Sequence, residues 1–134
     1  MTKFVQPQKK GDLRGGLNVF ERSGEIPFDV KRIYYLFDTA PDVSRGFHAH
    51  KSLQQLAICL AGNCEIVIDN GQIREVHSLT QHSGGLLIGD MVWREMNNFS
   101  KDCVLLVLAS EEYDESDYIR SYDEFKERLE IEKK

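Results

Sequence analysis

The segment Arg45-Gly46-Phe47-His48-Ala49-His50 holds the residue types best suited to chemistry in this chain. Side chains alternate along an extended backbone, so His48 and His50 fall on one face. Two imidazoles on one face suit metal binding or acid–base work, because imidazole takes up and returns a proton near neutral pH. Other groups able to touch a polar substrate are Arg14, Arg32, Lys51, Gln54, Gln55, Trp93 and Arg94. Tyr34 shares a strand face with Arg32 and carries a hydroxyl that can donate to a developing oxyanion.

The spacing from His48 and His50 through Gln54 and Gln55 to Gly62 resembles the first cupin motif, with glutamine where metal-binding cupins place glutamate. In those cupins a second motif supplies another histidine, and its counterpart here, Trp93-Arg94-Glu95-Met96, puts Arg94 at that place. A guanidinium cannot be deprotonated to act as a ligand, and it repels a cation. Two histidines alone make a poor zinc or iron site, so neither metal nor cofactor is expected. A metal-free histidine pair suits proton movement next to a carbonyl, through an enediol.

The elements that must position these groups read mostly as strands. Lys31 to Phe37 is rich in aromatic and β-branched residues and is closed by Asp38 to Ser44, with Pro41. Leu53–Leu60, Cys64–Asp69, Gln72–His77, Leu86–Ile88, Met91–Trp93 and Cys103–Leu108 are further strand candidates, and Asn70-Gly71 is a strong hairpin signal. His77 and His82 are read as surface residues of a turn. From Ser116 onward the period changes: Ile119, Tyr122, Phe125 and Leu129 recur at helical steps, with Asp114 or Ser116 as the cap. The expectation is one all-β domain over residues 1–134. Its strands run over about 17–110 as a sandwich or small barrel, with a C-terminal helix over about 116–131 packed outside.

Composition sets the outer bounds. The 134 residues suffice for one domain, and a formal net charge of -5 gives no basic surface for nucleic acid. Five carboxylates crowd Glu111 to Asp117, so an anionic substrate depends on local Arg and Lys. Cys59, Cys64 and Cys103 sit in apolar segments without a CxxC pair and read as buried, reduced thiols. The N-terminal residues lack the apolar core of a signal peptide, and no run approaches the roughly 18 apolar residues of a membrane span, so a cytoplasmic protein is expected.

Four strings, Asp12 to Leu17, Ile26 to Tyr35, Arg45 to His50 and Tyr113 to Phe125, resemble the sugar 3,4-ketoisomerase family of WxcM-like cupins over nearly the whole chain. The resemblance implies a cupin (double-stranded β-helix) fold and a metal-free isomerase acting on dTDP-4-keto-6-deoxy-D-glucose. It implies a homodimer that exchanges N-terminal strands, and a product passed to a PLP aminotransferase for 3-amino-3,6-dideoxyhexoses. His48 would then move the carbon-bound proton and His50 shuttle protons between the oxygens, or the reverse. Arg32, Arg45 and Lys51 would meet the diphosphate, while Arg14 would line the sugar pocket. Trp93 would stack on thymine, close the sugar pocket or pack in the core. Arg94 bears on which face of C4 receives the proton, with a lean to the gluco product. A non-catalytic sugar-nucleotide-binding cupin and a dTDP-sugar 3,5-epimerase are the competing readings.

Overall fold

A computed structural model describes residues 3–40 and 42–133. Short alternating segments broken by turns fold into twelve strands and one helix. The strands are β1 (Lys3–Val5), β2 (Gln8–Asp12), β3 (Gly15–Val19), β4 (Arg32–Leu36), β5 (Arg45–His50), β6 (Gln55–Ala61), β7 (Asn63–Asp69), β8 (Arg74–Thr80), β9 (Gly85–Ile88), β10 (Trp93–Asn97), β11 (Val104–Ala109) and β12 (Tyr118–Ile119). The helix α1 spans Tyr122–Glu132. One sheet runs β1-β9-β6-β11-β4 and the other β12-β5-β10-β7-β8, and every pairing is antiparallel. This is the cupin sandwich, with β2 and β3 as a separate hairpin arm.

The inward residues of both sheets, among them Ala57, Cys59, Ile66, Ile68, Leu86, Ile88, Leu105 and Val107, form the central core. Two smaller clusters cover the outer faces. Ile26 and Phe28 pack on Leu56, Leu87 and Leu108 outside the first sheet. Phe125 of α1 packs on Ala49, Trp93 and Ile119 outside the second. Parity explains the division: Trp93 faces the helix, so its neighbour Arg94 faces the interior.

Several boundaries differ from those expected. The helix begins at Tyr122 rather than near 116, because Glu115–Asp117 forms a 3₁₀ turn capped by Asp114 and Tyr118-Ile119 then pairs as β12. Ser121 is the helix cap, its hydroxyl accepting from the Glu124 backbone N–H at 3.3 Å. Three-residue β1 and polar β2 lie before the expected strand region, since their pairing is set by β9 and β3 and not by a sustained apolar alternation. Met91 and Val92 precede β10, with Met91 at φ 52° in the turn. His77 lies within β8 against the Phe4 ring, while His82 is in the exposed turn that follows. Pro41 lies outside the described residues.

Candidate active site

His48 and His50 share one face of β5 by alternation, just beyond a distortion of that strand. Gly46 sits at φ 93° and Phe47 at φ 59°, both left-handed, and opposite them the register with β10 slips between Arg94 and Glu95. Phe47 is the extra residue of this bulge; its side chain turns outward and the two histidines keep the inward face. A Cβ at Gly46 would stand 3.0 Å from the Arg94 carbonyl and 3.2 Å from Glu95 Cα, so only glycine allows the close approach. The two imidazole rings lie 4.8 Å apart at 86° to each other. Tyr118, opposite His50 on β12, places its ring 4.3 Å from His50 and 4.9 Å from His48.

Asp117 completes the pair, and sequence reasoning missed it. Its carboxylate accepts from the Ser52 N–H and hydroxyl, both at 2.9 Å, and from the Leu53 N–H at 3.3 Å. Burial works to raise this carboxyl, but the hydrogen bonds from Ser52 and His50 outweigh it and hold it below the usual range. An ionised carboxylate only accepts, so the 3.1 Å contact to His50 Nδ1 is an N–H donation that leaves Nε2 as the basic nitrogen. His50 Nε2 and His48 Nδ1 are buried without a hydrogen-bond partner among the described residues. Asp117 lies within the Tyr113–Phe125 string, yet nothing in its spacing points to a histidine 67 residues away.

Arg94 faces His48 across the β5–β10 pair and is fully buried. It donates to Gln55 Oε1 at 2.6 Å and to the Val92 carbonyl at 2.9 Å, while its Nε has no partner among the described residues. Burial pushes its pKa down to about 10, so it stays charged at neutral pH. Because Arg94 holds Gln55 Oε1, the Gln55 amide presents Nε2 to the Tyr34 oxygen at 2.9 Å. Tyr34 therefore accepts there and keeps its own O–H to donate; burial pushes that phenol up, keeping it protonated. Burial first, then the Arg94 charge, lowers His48 to about 4. The same two causes, joined by His48 itself, push His50 down, so the pair is neutral at pH 7. With a guanidinium opposite His48 and an amide beside it, the donor set does not fit a metal ion.

The remaining expected residues divide. Arg32 is half-buried, with its guanidinium 4.9 Å from the Tyr34 ring centroid, and belongs to the site. Lys51 is exposed and its ammonium donates to the Ser116 carbonyl at 2.8 Å, pinning the 3₁₀ turn. Gln54 precedes β6 beside inward-facing Gln55, and its backbone N–H bonds Ser110. Arg45 lines a separate cavity of about 390 Å³ with Tyr35, Phe37 and Phe99. Arg14 sits at the tip of the β2–β3 arm, paired with Asp12 and exposed. Trp93 does not reach the histidines: it is 4% exposed, packed on Tyr122 and Phe125, with its indole N–H on Glu95. The pocket and stacking roles given to it by resemblance are therefore corrected to the core role, because β10 parity turns it toward the helix.

A cleft of about 490 Å³ reaches His50 from outside and is lined by Glu111, Glu112, Asp114 and Asp117, with Lys31. Its carboxylates repel a diphosphate; Arg94 faces His48 from β10, and the Arg32 guanidinium lies 5.9 Å from the ring of Tyr113, which lines the cleft. Over the cleft Glu115 pairs with Arg120, whose guanidinium lies 4.3 Å from the Tyr118 ring, so the tail segment braces the histidine wall.

Comparison with known proteins identifies the family. The family model described as "FdtA: WxcM-like, C-terminal" matches residues 1–130. The chain is 48% identical over 128 residues to the TDP-4-oxo-6-deoxy-alpha-D-glucose-3,4-oxoisomerase of Aneurinibacillus thermoaerophilus, covering 96% of this chain and 92% of that protein. Among solved structures, a histidine-to-asparagine variant of the 3,4-ketoisomerase QdtA from Thermoanaerobacterium thermosaccharolyticum, in complex with TDP-4-keto-6-deoxyglucose, superposes with TM-score 0.92 at 42% identity, covering 97% and 94% of the two chains. A 3,4-ketoisomerase from Helicobacter canadensis gives TM-score 0.92 at 48% identity over 96% and 97%. Matched along nearly its whole length in both sequence and fold, the chain belongs to the WxcM-like family of sugar 3,4-ketoisomerases.

Proposed function

We propose that this enzyme converts TDP-4-keto-6-deoxyglucose to the 3-keto isomer through an enediol, using His48 and His50 without a metal or other cofactor. The observation that carries the reading is a pair of neutral imidazoles, nearly perpendicular, with unpartnered nitrogens beside a buried guanidinium.

The C4 carbonyl acidifies the C3 hydrogen. A C–H bond breaks only when aligned with the carbonyl π system, so its base stands above the sugar plane, whereas hydroxyl protons lie near that plane. Two rings at 86° can serve both directions. His48 takes the proton from C3 and returns it to C4. His50, held by Asp117, accepts the O3 proton on Nε2 and delivers it to O4 as the carbonyl forms at C3. Negative charge develops on the enediolate oxygens, and Tyr34 and Arg94 stabilise it from a water-poor wall. Arg32 is the nearest cation for the diphosphate, and Gln55 fixes Tyr34.

The assembly is read as a homodimer in which exposed Arg14, paired with Asp12 at the tip of the arm, reaches the sugar site of the partner. An exchange of N-terminal strands that included the β2–β3 hairpin would carry Arg14 to the partner. The 3-keto product suits a PLP aminotransferase that makes a 3-amino-3,6-dideoxyhexose in the cytoplasm for surface polysaccharide, and the protonated face of C4 is read as gluco.

Proton NMR of TDP-4-keto-6-deoxyglucose in D₂O tests this reading. Wild-type protein gives a 3-keto sugar, with deuterium at C4 only to the extent that the proton held by His48 exchanges with solvent before its return, while His48→Ala and His50→Ala each lose at least about 10²-fold in rate. Tight nucleotide binding with no isomerisation by the wild type would instead favour a binding protein.

A further inference from the structure

We propose that Cys59, Cys64 and Cys103 form a three-sulfur site for a soft monovalent d¹⁰ cation, Cu(I), at the floor of the barrel. The three thiols are buried and free, and their Sγ atoms all lie within 4.8 Å of one another. Trigonal coordination at a metal–sulfur distance of about 2.3 Å needs sulfurs about 4 Å apart, so an ion demands less than an ångström of contraction. Among the described residues no other group of histidine, cysteine or carboxylate ligands clusters in this way.

The ligands are placed by rigid parts of the fold. Cys59 lies near the end of β6, before Ala61, and Cys64 follows Asn63 at the start of β7, on either side of the turn at Gly62. Cys103 precedes β11 on the loop Ser100–Asp102, which is tied to that turn. Ser100 N–H donates to the Asn63 carbonyl at 2.8 Å, the Ser100 hydroxyl accepts from Asn63 N–H at 2.9 Å, and Cys103 N–H donates to the Ser100 carbonyl at 3.1 Å. Cys59 lies four residues beyond Gln55 on the same inward face of β6, about 13 Å from the isomerase site, with Ala57 between.

The chemistry selects the ion. Thiolate ligands favour soft cations, and the Ala61 and Gly62 carbonyls beside Cys59 are too few oxygens for Mg²⁺ or Ca²⁺, which take about six or more. Zinc prefers four ligands, whereas a dry three-sulfur pocket satisfies a cation of lower coordination number. Cys59 directs its S–H toward the Ala61 carbonyl at 3.2 Å, beside the turn, so that proton is displaced when an ion binds. Each thiol that binds as thiolate releases one proton to solvent; copper remains Cu(I) and no electron moves. Three small core side chains would pack equally well as plain thiols, so binding is what must be measured.

Anaerobic titration of the full-length protein with Cu(I) against bicinchoninate, followed by X-ray absorption at the copper edge, decides the matter. The expected result is one Cu(I) per chain with three sulfur neighbours at about 2.3 Å. Cys59→Ser and Cys103→Ser should each weaken binding by at least about tenfold, while His48→Ala leaves it unchanged. Failure of the wild type to take Cu(I) from the chelator overturns the proposal, as does nitrogen or oxygen coordination in the spectrum. Should a serine variant not fold, the wild-type stoichiometry and spectrum still decide whether the three sulfurs hold the ion.

Discussion

Asp117 decides which nitrogen of His50 is basic, and its removal separates positioning from binding. Asp117→Asn can present its amide N–H to the ring and turn Nε2 into the donor, so kcat should fall about 10–100-fold with KM little changed. Steady-state kinetics on the 4-keto substrate checks this. Arg94 carries the opposite balance, a buried charge costly to the fold and useful to the enediolate. Arg94→Met should leave the melting temperature unchanged or higher while lowering kcat by at least about 10²-fold; equal losses in both would refute a catalytic purpose for that charge. The histidines carry a pH signature. His48 binds its proton near pH 4 when folded, against 6.5 ordinarily. Between those values the unfolded chain holds more protons, so this contribution to stability is complete above pH 6.5 and is lost as pH falls toward 4. The loss is at most about 3 kcal/mol for His48. Thermal melts from pH 7.5 to 4.5 should show the decline, flattened in His48→Asn, and the acid limb of kcat should lie well below pH 6.5.

The bulge in β5 and the cap of α1 do different work at the level of elements. Gly46 lets the strand approach the Arg94 carbonyl, and the left-handed Phe47 takes up the extra residue. Gly46→Ala forces a side chain into both constraints and should cost about 1–3 kcal/mol of stability. It should also cost more activity than that loss explains, because His48 moves with the strand. Denaturant unfolding beside kcat makes the comparison. In α1 a single residue, Phe125, is fully buried, and the Ser121 cap bonds the first turn. Ser121→Ala should lose about 1 kcal/mol with the kinetics intact. Gly71 of the β7–β8 turn sits at φ 95°, which favours glycine, and a Cβ there would also meet the Leu129 side chain of the helix.

The β2–β3 arm is a hairpin separate from the two main sheets. Its tip exposes Leu13 and Arg14, and Leu17 is exposed on β3. If the arm completes a partner's site, mixing inactive Arg14→Ala with inactive His48→Ala protein after subunit exchange should restore activity. One site in each mixed dimer then has both groups intact, and at most about a quarter of wild-type activity returns. Ultracentrifugation should find a dimer, and the absence of any recovery would show that each chain completes its own site.

The all-β reading and the position of the histidine pair were legible in the sequence because both rest on local rules. Alternation places His48 and His50 together whatever the rest of the chain does, and the Asn70-Gly71 turn announces its own hairpin. The same alternation separates Gln55 from Gln54, and Trp93 from Arg94, once the inward face is known, but which face is inward depends on the partner strands. The helix start was misplaced because Ile119 shares the helical spacing yet spends its backbone bonds on Ala49 of β5. Asp117 joined to His50, Arg94 to Gln55 and Tyr34, and the three cysteines to one another are meetings between strands far apart in the chain. Side-chain type sets what each group can donate or accept; only the closure of the two sheets brings these groups within hydrogen-bonding distance, or the sulfurs within reach of a single ion.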